Sequence, residues 1–280
     1  MTKRMSLVIR KLALGGGGAK GILHIGVLRE LAKHQSLEFP DGIYGSSVGS
    51  IIASCIAFHV PIDNIMHFIK QHSSIQSMIP SKFDVQNISK LFANKGFYSM
   101  DVFNQRMIEL FKTANIDIEG KKLKDAHMPL YIVSSNITKG IPAVFSDDVS
   151  VLEALRCSCC IPFLFHPQHI GNNLYVDGDI LTPNLTSLCS KDTIVVNLDK
   201  HRKNSITPSQ LESMSPLDYA RDLYLIVATY NQKNQSSTNT LSISYPNLYS
   251  DTDLSEIDIN DVLVHASDEF RRFFGTQILR

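Results

Sequence analysis

Ile43-Tyr44-Gly45-Ser46-Ser47-Val48-Gly49-Ser50-Ile51-Ile52 decides how this chain is read. Ile43-Tyr44 is a short strand, and residues 50–58 are apolar nearly all round, so they form a buried helix. Between them lies G-x-S-x-G in the strand-to-helix context of a nucleophile elbow. Such a turn exposes the Oγ of Ser47, while Gly45 and Gly49 let strand and helix approach. The helix N-terminus beneath favours developing negative charge. The plain structural alternative is an ordinary turn in which Ser47 caps the helix. Ser46 competes as a serine but is off the centre of the pattern.

Upstream, residues 6–14 form a strand that runs into Gly15-Gly16-Gly17-Gly18, and residues 19–34 carry helical spacing of apolar positions. Gly16-Gly17-Gly18-Ala19-Lys20-Gly21 fits G-x-G-x-x-G. A dinucleotide loop needs an acid at the end of the second strand, but Asp41 stands at that strand's start. A phosphate loop of the Walker type fails, because Lys20 is neither preceded by Gly nor followed by Ser or Thr. An oxyanion hole of bare glycine N–H groups and a tight turn without chemistry are left with similar weight.

Downstream, residues 62–125 read as mostly helical, with breaks at Pro80 and Gly96. Leu130–Asn136 and Ala143–Phe145 are strands joined at Lys139-Gly140, and Val151–Cys160 is a helix ended by Pro162. Leu174-Tyr175-Val176 is a strand entering Asp177-Gly178-Asp179, and Ile194–Leu198 is the last core strand expected. Pro216–Tyr230 and Asp261–Phe274 are amphipathic helices separated by a polar linker, 232–240. Alternating strands and helices predict a three-layer α/β sandwich: a mostly parallel central sheet with helices on both faces. Asp177, at a strand end, is placed to serve as proton acceptor for Ser47, although Asp-Gly is more commonly a hairpin turn. His201 would complete a Ser–Asp–His order, but it sits in the charged stretch 199–203, which reads as a solvated loop.

Charges cancel, with 27 basic and 27 acidic side chains, which disfavours a nucleic-acid binder. Five cysteines in 280 residues do not make a disulfide scaffold. Cys157, Cys159, Cys160, His166 and His169 lack zinc spacing, so neither metal nor cofactor is expected. The apolar start is broken at Arg10 and Lys11 without a cleavage site, and no run reaches about 18 apolar residues. The expectation is a cytoplasmic or peripheral membrane protein, with non-classical export compatible.

Three motifs in order, Gly16-Gly17-Gly18-Ala19-Lys20-Gly21, Gly45-Ser46-Ser47-Val48-Gly49 and Asp177-Gly178, resemble patatin-like acyl hydrolases, the group that includes cytosolic phospholipase A2-type enzymes. Ala154-Leu155-Arg156-Cys157-Ser158-Cys159-Cys160-Ile161-Pro162 resembles that family's small-residue helix ending in proline. The resemblance covers roughly residues 7–200, with 201–280 expected to complete a single catalytic domain of 280 residues. It implies a Ser47–Asp177 dyad without catalytic histidine, an oxyanion hole at Gly16, Gly17 and Gly18, and loop support from Lys20 and Gly21, with Lys20 adding positive potential near the oxyanion or a lipid phosphate. The implied substrates are acyl esters of phospholipids, lysophospholipids or neutral glycerolipids. The implied partners are a membrane or micelle surface and, where activation is needed, a protein activator. Asp179 stands where the family commonly has Gly or Ala, Thr182 where it often has Asn, and Val48 where it has Ala. Phe163–Phe165 and the stripe Phe103, Met107, Leu110, Phe111 are candidate acyl-pocket walls, and Met66, Phe68, Met78 and Phe83 a candidate lid or lipid-facing surface.

Overall fold

The computed structural model describes residues 8–72, 74–79, 85–200, 207–233 and 239–278. Its strands are β1 (Lys11–Leu14), β2 (Gly42–Ser46), β3 (Gly96–Tyr98), β4 (Leu130–Asn136), β5 (Ile141–Phe145), β6 (Phe163–Phe165), β7 (Gln168–Ile170), β8 (Asn173–Val176), β9 (Ile194–Leu198) and β10 (Thr240–Ile243). The helices are α1 (Ile22–Leu31), α2 (Val48–Ala57), α3 (Ile62–Gln71), α4 (Val85–Asn94), α5 (Asp101–Lys112), α6 (Val151–Ser158), α7 (Pro208–Ser213), α8 (Pro216–Lys233) and α9 (Ile259–Ile278).

The main sheet runs β10-β9-β1-β2-β4-β8-β7, with β5 also on β4. Pairing from β10 through β4 is parallel, while β5 and β8 pair antiparallel to β4. The expected α/β architecture, a mostly parallel sheet flanked by helices, is therefore present. Alternation along β1 separates its two faces. Leu12 and Leu14 join the large core with α1, α2 and α9, whereas Ala13 joins Val133, Val195 and Leu185 in a small cluster on the other face.

The register of β4 brings two distant turns together. Ile132 and Val133 pair with β2 on one edge and with β5 on the other. Ser135 and Asn136 pair with β5 and with β8. β2 and β8 therefore lie end to end on the same edge of β4, and because they run in opposite directions, Ser46 and Val176 point their chain ends into one gap. Ser134, at that gap, donates its hydroxyl to Val176 O at 2.8 Å and to Cys157 O at 3.0 Å.

Four strands lie beyond the sequence reading: β3, β6, β7 and β10. Gly96, expected as a helix break, opens β3; a Cβ there would fall 2.3 Å from the Phe165 backbone, so only glycine permits the β3–β6 pairing. β10 closes the sheet against β9, and α9 packs on α1 at a close crossing. A Cβ on Gly26 would meet the Ala266 Cβ at 2.6 Å, Ser267 donates to Gly26 O at 3.0 Å, and Arg271 pairs with Glu30 at 2.9 Å. Pro80 and Phe83 lie outside the described residues. Among the described residues, no helix is long and apolar enough to cross a membrane.

Phe270 of α9 is fully buried in the main core. Phe270→Ala is expected to cost about 3–5 kcal/mol of folding stability. A loss of less than about 1 kcal/mol, read from the denaturation midpoint and an unchanged slope, would separate α9 from the core that carries the motifs.

Candidate active site

Three loops leave the carboxyl ends of adjacent parallel strands: Gly15–Gly18 after β1, Ser47 after β2, and Asp199-Lys200 after β9. That end of an open α/β sheet is where ligands bind. The Asp177 turn arrives from β8 through the gap on β4.

Ser47 has φ 51° and ψ −128°, an unfavourable conformation for a residue with a Cβ. The surroundings hold it there. Ser47 N donates to Ser158 Oγ at 2.9 Å, and Ser158 donates to Val133 O at 2.6 Å. Ser50 donates its hydroxyl to Ser47 O at 2.6 Å. The flanking glycines admit no side chain: a Cβ on Gly45 would lie 2.4 Å from Ser50 Cα, and one on Gly49 would lie 2.1 Å from Leu14 O. Ser47 precedes α2 yet makes no side-chain capping bond. Its Oγ instead donates to Asp177 Oδ2 at 2.7 Å, so the plain cap is not what this serine does.

Asp177 is buried, with its N–H on Cys160 O at 2.8 Å and its Oδ1 accepting from Asp179 N at 2.9 Å. Burial raises its pKa to about 7; the charge of Asp179 adds to the rise, and the bond from Ser47 and the charge of Lys200 oppose it. Asp179 is itself ion-paired to buried Lys200 and accepts from Ser46 Oγ at 3.2 Å. Ser46 thus serves the neighbouring acid, not the reacting position. Gly178 is forced by a Cβ position 2.5 Å from both Ser46 Oγ and Val133 O.

The glycine loop closes the third side. Gly15 N donates to Val196 O at 2.9 Å and Ala19 N to Ser250 O at 3.0 Å. Among the described residues, the N–H groups of Gly16, Gly17 and Gly18 make no hydrogen bond. Gly18 has φ +56° and lies against Ser250 O, where a Cβ would come within 2.3 Å. Gly21 packs on Val48, which explains why a β-branched residue fits there: a Cβ on Gly21 would lie 2.4 Å from Val48 Cγ2. Lys20 is buried and donates to Asp199 O, tying the loop to the end of β9. Burial, with the charge of Lys200, lowers its pKa to about 8. Under the loop, buried His24 donates through Nε2 to Gly15 O at 2.7 Å, and burial lowers its pKa to about 4, so the ring stays neutral.

Ser47 opens onto an apolar cavity of 160 Å³ lined by Ile51, Ile65, Phe68, Phe103, Met107 and Leu110, among others. Of the expected walls, Phe165 also lines it, whereas Phe111 is plain core. Met66 and Phe68 are buried, so they are not a lipid-facing surface; Phe68 and Met78 are pocket wall. Cys157, Cys159 and Cys160 are buried packing residues. Thr182 is buried, its backbone on Gly178 O at 3.0 Å and its hydroxyl without a partner among the described residues. His201 lies outside the described residues. Sequence reasoning assigned no role to Ser158, Lys200, His24 or Ser250; Ser158 lies in the small-residue helix that resembles the family's, and the other three belong to no local motif.

The fold thus carries a strained serine beside a buried carboxylate at the carboxyl end of its parallel strands. The chain belongs to the patatin-like phospholipase family, whose model matches residues 12–188. It is 28% identical to YqhO, an uncharacterized protein of Bacillus subtilis, over 60% of this chain and 62% of that protein. It is 25% identical to lysophospholipase NTE1 of Candida albicans over 96% of this chain but only 18% of that protein. The chain thus spans less than two thirds of either relative. VipD of Legionella pneumophila shares the fold, with a TM-score of 0.57 at 16% identity, covering 97% of this chain and 68% of VipD.

The Ser47 hydroxyl can pass a proton to Asp177 only when that carboxyl is ionised. Labelling of Ser47 by a fluorophosphonate is therefore expected to fall about tenfold per pH unit below about 7 and to level off above it. A labelling rate that is flat between pH 5 and 8 would contradict the raised pKa.

Proposed function

We propose that this protein is a serine acyl hydrolase of the phospholipase A type, cleaving fatty-acyl esters of phospholipids or lysophospholipids with a Ser47–Asp177 dyad. The observation that carries this reading is the 2.7 Å hydrogen bond from Ser47 to Asp177 at the mouth of an apolar cavity. The acyl chain enters the cavity, leaving its ester carbonyl at Ser47. Asp177 takes the Oγ proton as Oγ attacks the carbonyl carbon. The carbonyl oxygen becomes an oxyanion that the N–H groups of Gly16, Gly17 and Gly18 stabilise, helped by the N-terminus of α2. The ester C–O bond then breaks, and Asp177 returns the proton to the departing alcohol. Water, deprotonated by Asp177, releases the fatty acid and restores Ser47.

The unit proposed is the whole chain of 280 residues. Tyr224 and Ser250 both contact the loops of the site, which gives residues 201–280 a part in building it. The likeness to lysophospholipase NTE1 favours a lysophospholipid among the substrates. With no net charge, approach to a lipid surface rests on exposed apolar side chains. α8 carries Leu223, Val227 and Tyr230 at helical spacing, all exposed.

Ser47→Ala and Asp177→Asn are each expected to reduce acyl release from a phospholipid or lysophospholipid by 10³-fold or more, on the order of triad-type knockouts. His201→Ala is expected to stay within a few-fold of wild type. Full activity in Ser47→Ala or Asp177→Asn would sink the dyad, and a comparable loss in His201→Ala would favour a triad. Placing glutamate at both Val227 and Tyr230 is expected to weaken sedimentation with neutral phosphatidylcholine vesicles; unchanged sedimentation would remove α8 from the membrane contact.

A further inference from the structure

Asp179 poses an electrostatic problem. A second carboxylate sits two residues from the base, buried, with its N–H on Asp177 Oδ1 at 2.9 Å. A lone buried charge there would be costly and would hold Asp177 protonated. The charge is matched by Lys200, a buried lysine from the end of β9 whose Nζ bonds Asp179 Oδ2 and, at 2.5 Å, Gly16 O. Gly16 is the first residue of the candidate oxyanion loop. Its missing side chain is what lets Asp179 approach, since a Cβ would lie 2.3 Å from Asp179 Oδ2. One ammonium group therefore joins the turn that carries the base to the loop that would hold the oxyanion.

α8 fixes both partners from above. Gln232 Oε1 accepts from Lys200 N at 3.1 Å, Gln232 Nε2 donates to Leu198 O at 3.3 Å, and Thr229 Oγ1 donates to Lys200 O. Tyr224 donates its hydroxyl to Asp179 O at 2.9 Å. Lysine is long enough to reach two acceptors on separate loops while its backbone stays at the end of β9.

We propose that Lys200 is a positioning residue for the reaction: through Asp179 and the Gly16 carbonyl it locks the oxyanion loop to the Asp177 turn and offsets the negative charge beside the base. This rests on the dyad reading. The ionisable groups that face Asp177 are Asp179 and Lys200, the thiols of Cys159 and Cys160, and the Tyr224 phenol. Burial raises the pKa of both thiols and of the phenol, so these three stay neutral. Lys20 and His24 lie behind the glycine loop, in the field of the same ion pair. Asp179 and Lys200 are thus the charged pair that sets the field at the base.

The test is the acid limb of kcat/KM against pH for lysophospholipid hydrolysis, in variants whose cooperative melting is retained. Removing the negative neighbour in Asp179→Asn leaves the positive charge unopposed, so the limb is expected to move down by roughly one pH unit. Removing the cation in Lys200→Gln is expected to move it up by a similar amount, and the double variant to return it near wild type. At the alkaline plateau, Lys200→Gln lowers kcat more than it raises KM, because the loop, not the acyl pocket, is loosened. Asp179→Asn is nearly isosteric and decides the matter should Lys200→Gln not fold. A purely structural pair would lower activity or stability without moving the limb, and a limb within a few tenths of a unit of wild type in Asp179→Asn overturns the proposal. If Ser47→Ala is inactive while that limb is unmoved, the dyad survives and the role of the pair falls. If Ser47→Ala remains active, the dyad itself falls, and the role of the pair with it.

Discussion

The shared edge of β4 is the constraint on which the site depends. β2 and β8 come from opposite directions and stop two positions apart, at Val133 and Ser135. A strand edge left unpaired in a buried sheet would strand polar backbone groups. Here the gap is filled by two turns and by small hydroxyl residues. Ser134 bonds the last carbonyl of β8, and Ser158 bridges β4 to the Ser47 amide. A Ser–Asp contact of 2.7 Å between residues 130 apart in sequence is then a property of sheet register. A one-residue slip of β8 would turn Asp177 to the other face.

This placement brings costs that the surrounding structure offsets. Ser47 adopts a positive φ, worth on the order of 1–3 kcal/mol of strain. Among the described residues, the buried Asp177 carboxylate has only a hydroxyl and one amide on it. In the proposed dyad both costs serve the same end, because a carboxylate whose pKa approaches neutrality is a stronger base than an exposed aspartate. The strain holds the hydroxyl in its reach. Satisfying Asp177 fully, for instance with a direct lysine, would lower its pKa and weaken it as a base. The cation instead stands on Asp179, two residues further along the chain.

Backbone approach distances explain which parts were legible in the sequence. Gly18, Gly45, Gly49 and Gly178 are positions where a Cβ would come within 2.5 Å of another atom, so the steric demand is written as a residue type in a fixed local pattern. The loop, the elbow and the Asp-Gly turn were readable for that reason, as were β4 and β9 from their apolar runs. Ser158 and Lys200 were not. A serine in a small-residue helix and a lysine in the charged run 199–203 have no local signature, and their roles arise only when α6 and β9 are docked. Lys200 looked like one member of a solvated loop, yet it is almost fully buried. β3, β6 and β7 were missed because three residues are too few for a period-2 pattern to register. β10 was missed because Thr240–Ile243 follows a polar stretch that masked its short apolar alternation.

The segment after β9 then acquires a physical reason to be there. Without β10, β9 would be an open edge, and the loop carrying Lys200 would leave the sheet unsupported. Without α8, the backbone of Lys200 would lose Gln232 and Thr229, and Asp179 O would lose Tyr224. Without the turn at Ser250, Gly18 would lose the carbonyl that presses on it and Ala19 its backbone partner. The motifs of the first 180 residues supply the groups of the proposed dyad and oxyanion hole. Holding the glycine loop within a fraction of an ångström of its place relies on contacts that arrive last along the chain. Because a misplacement of about 1 Å can cost 10²-fold in rate, those late contacts bear on the chemistry as directly as the motifs do.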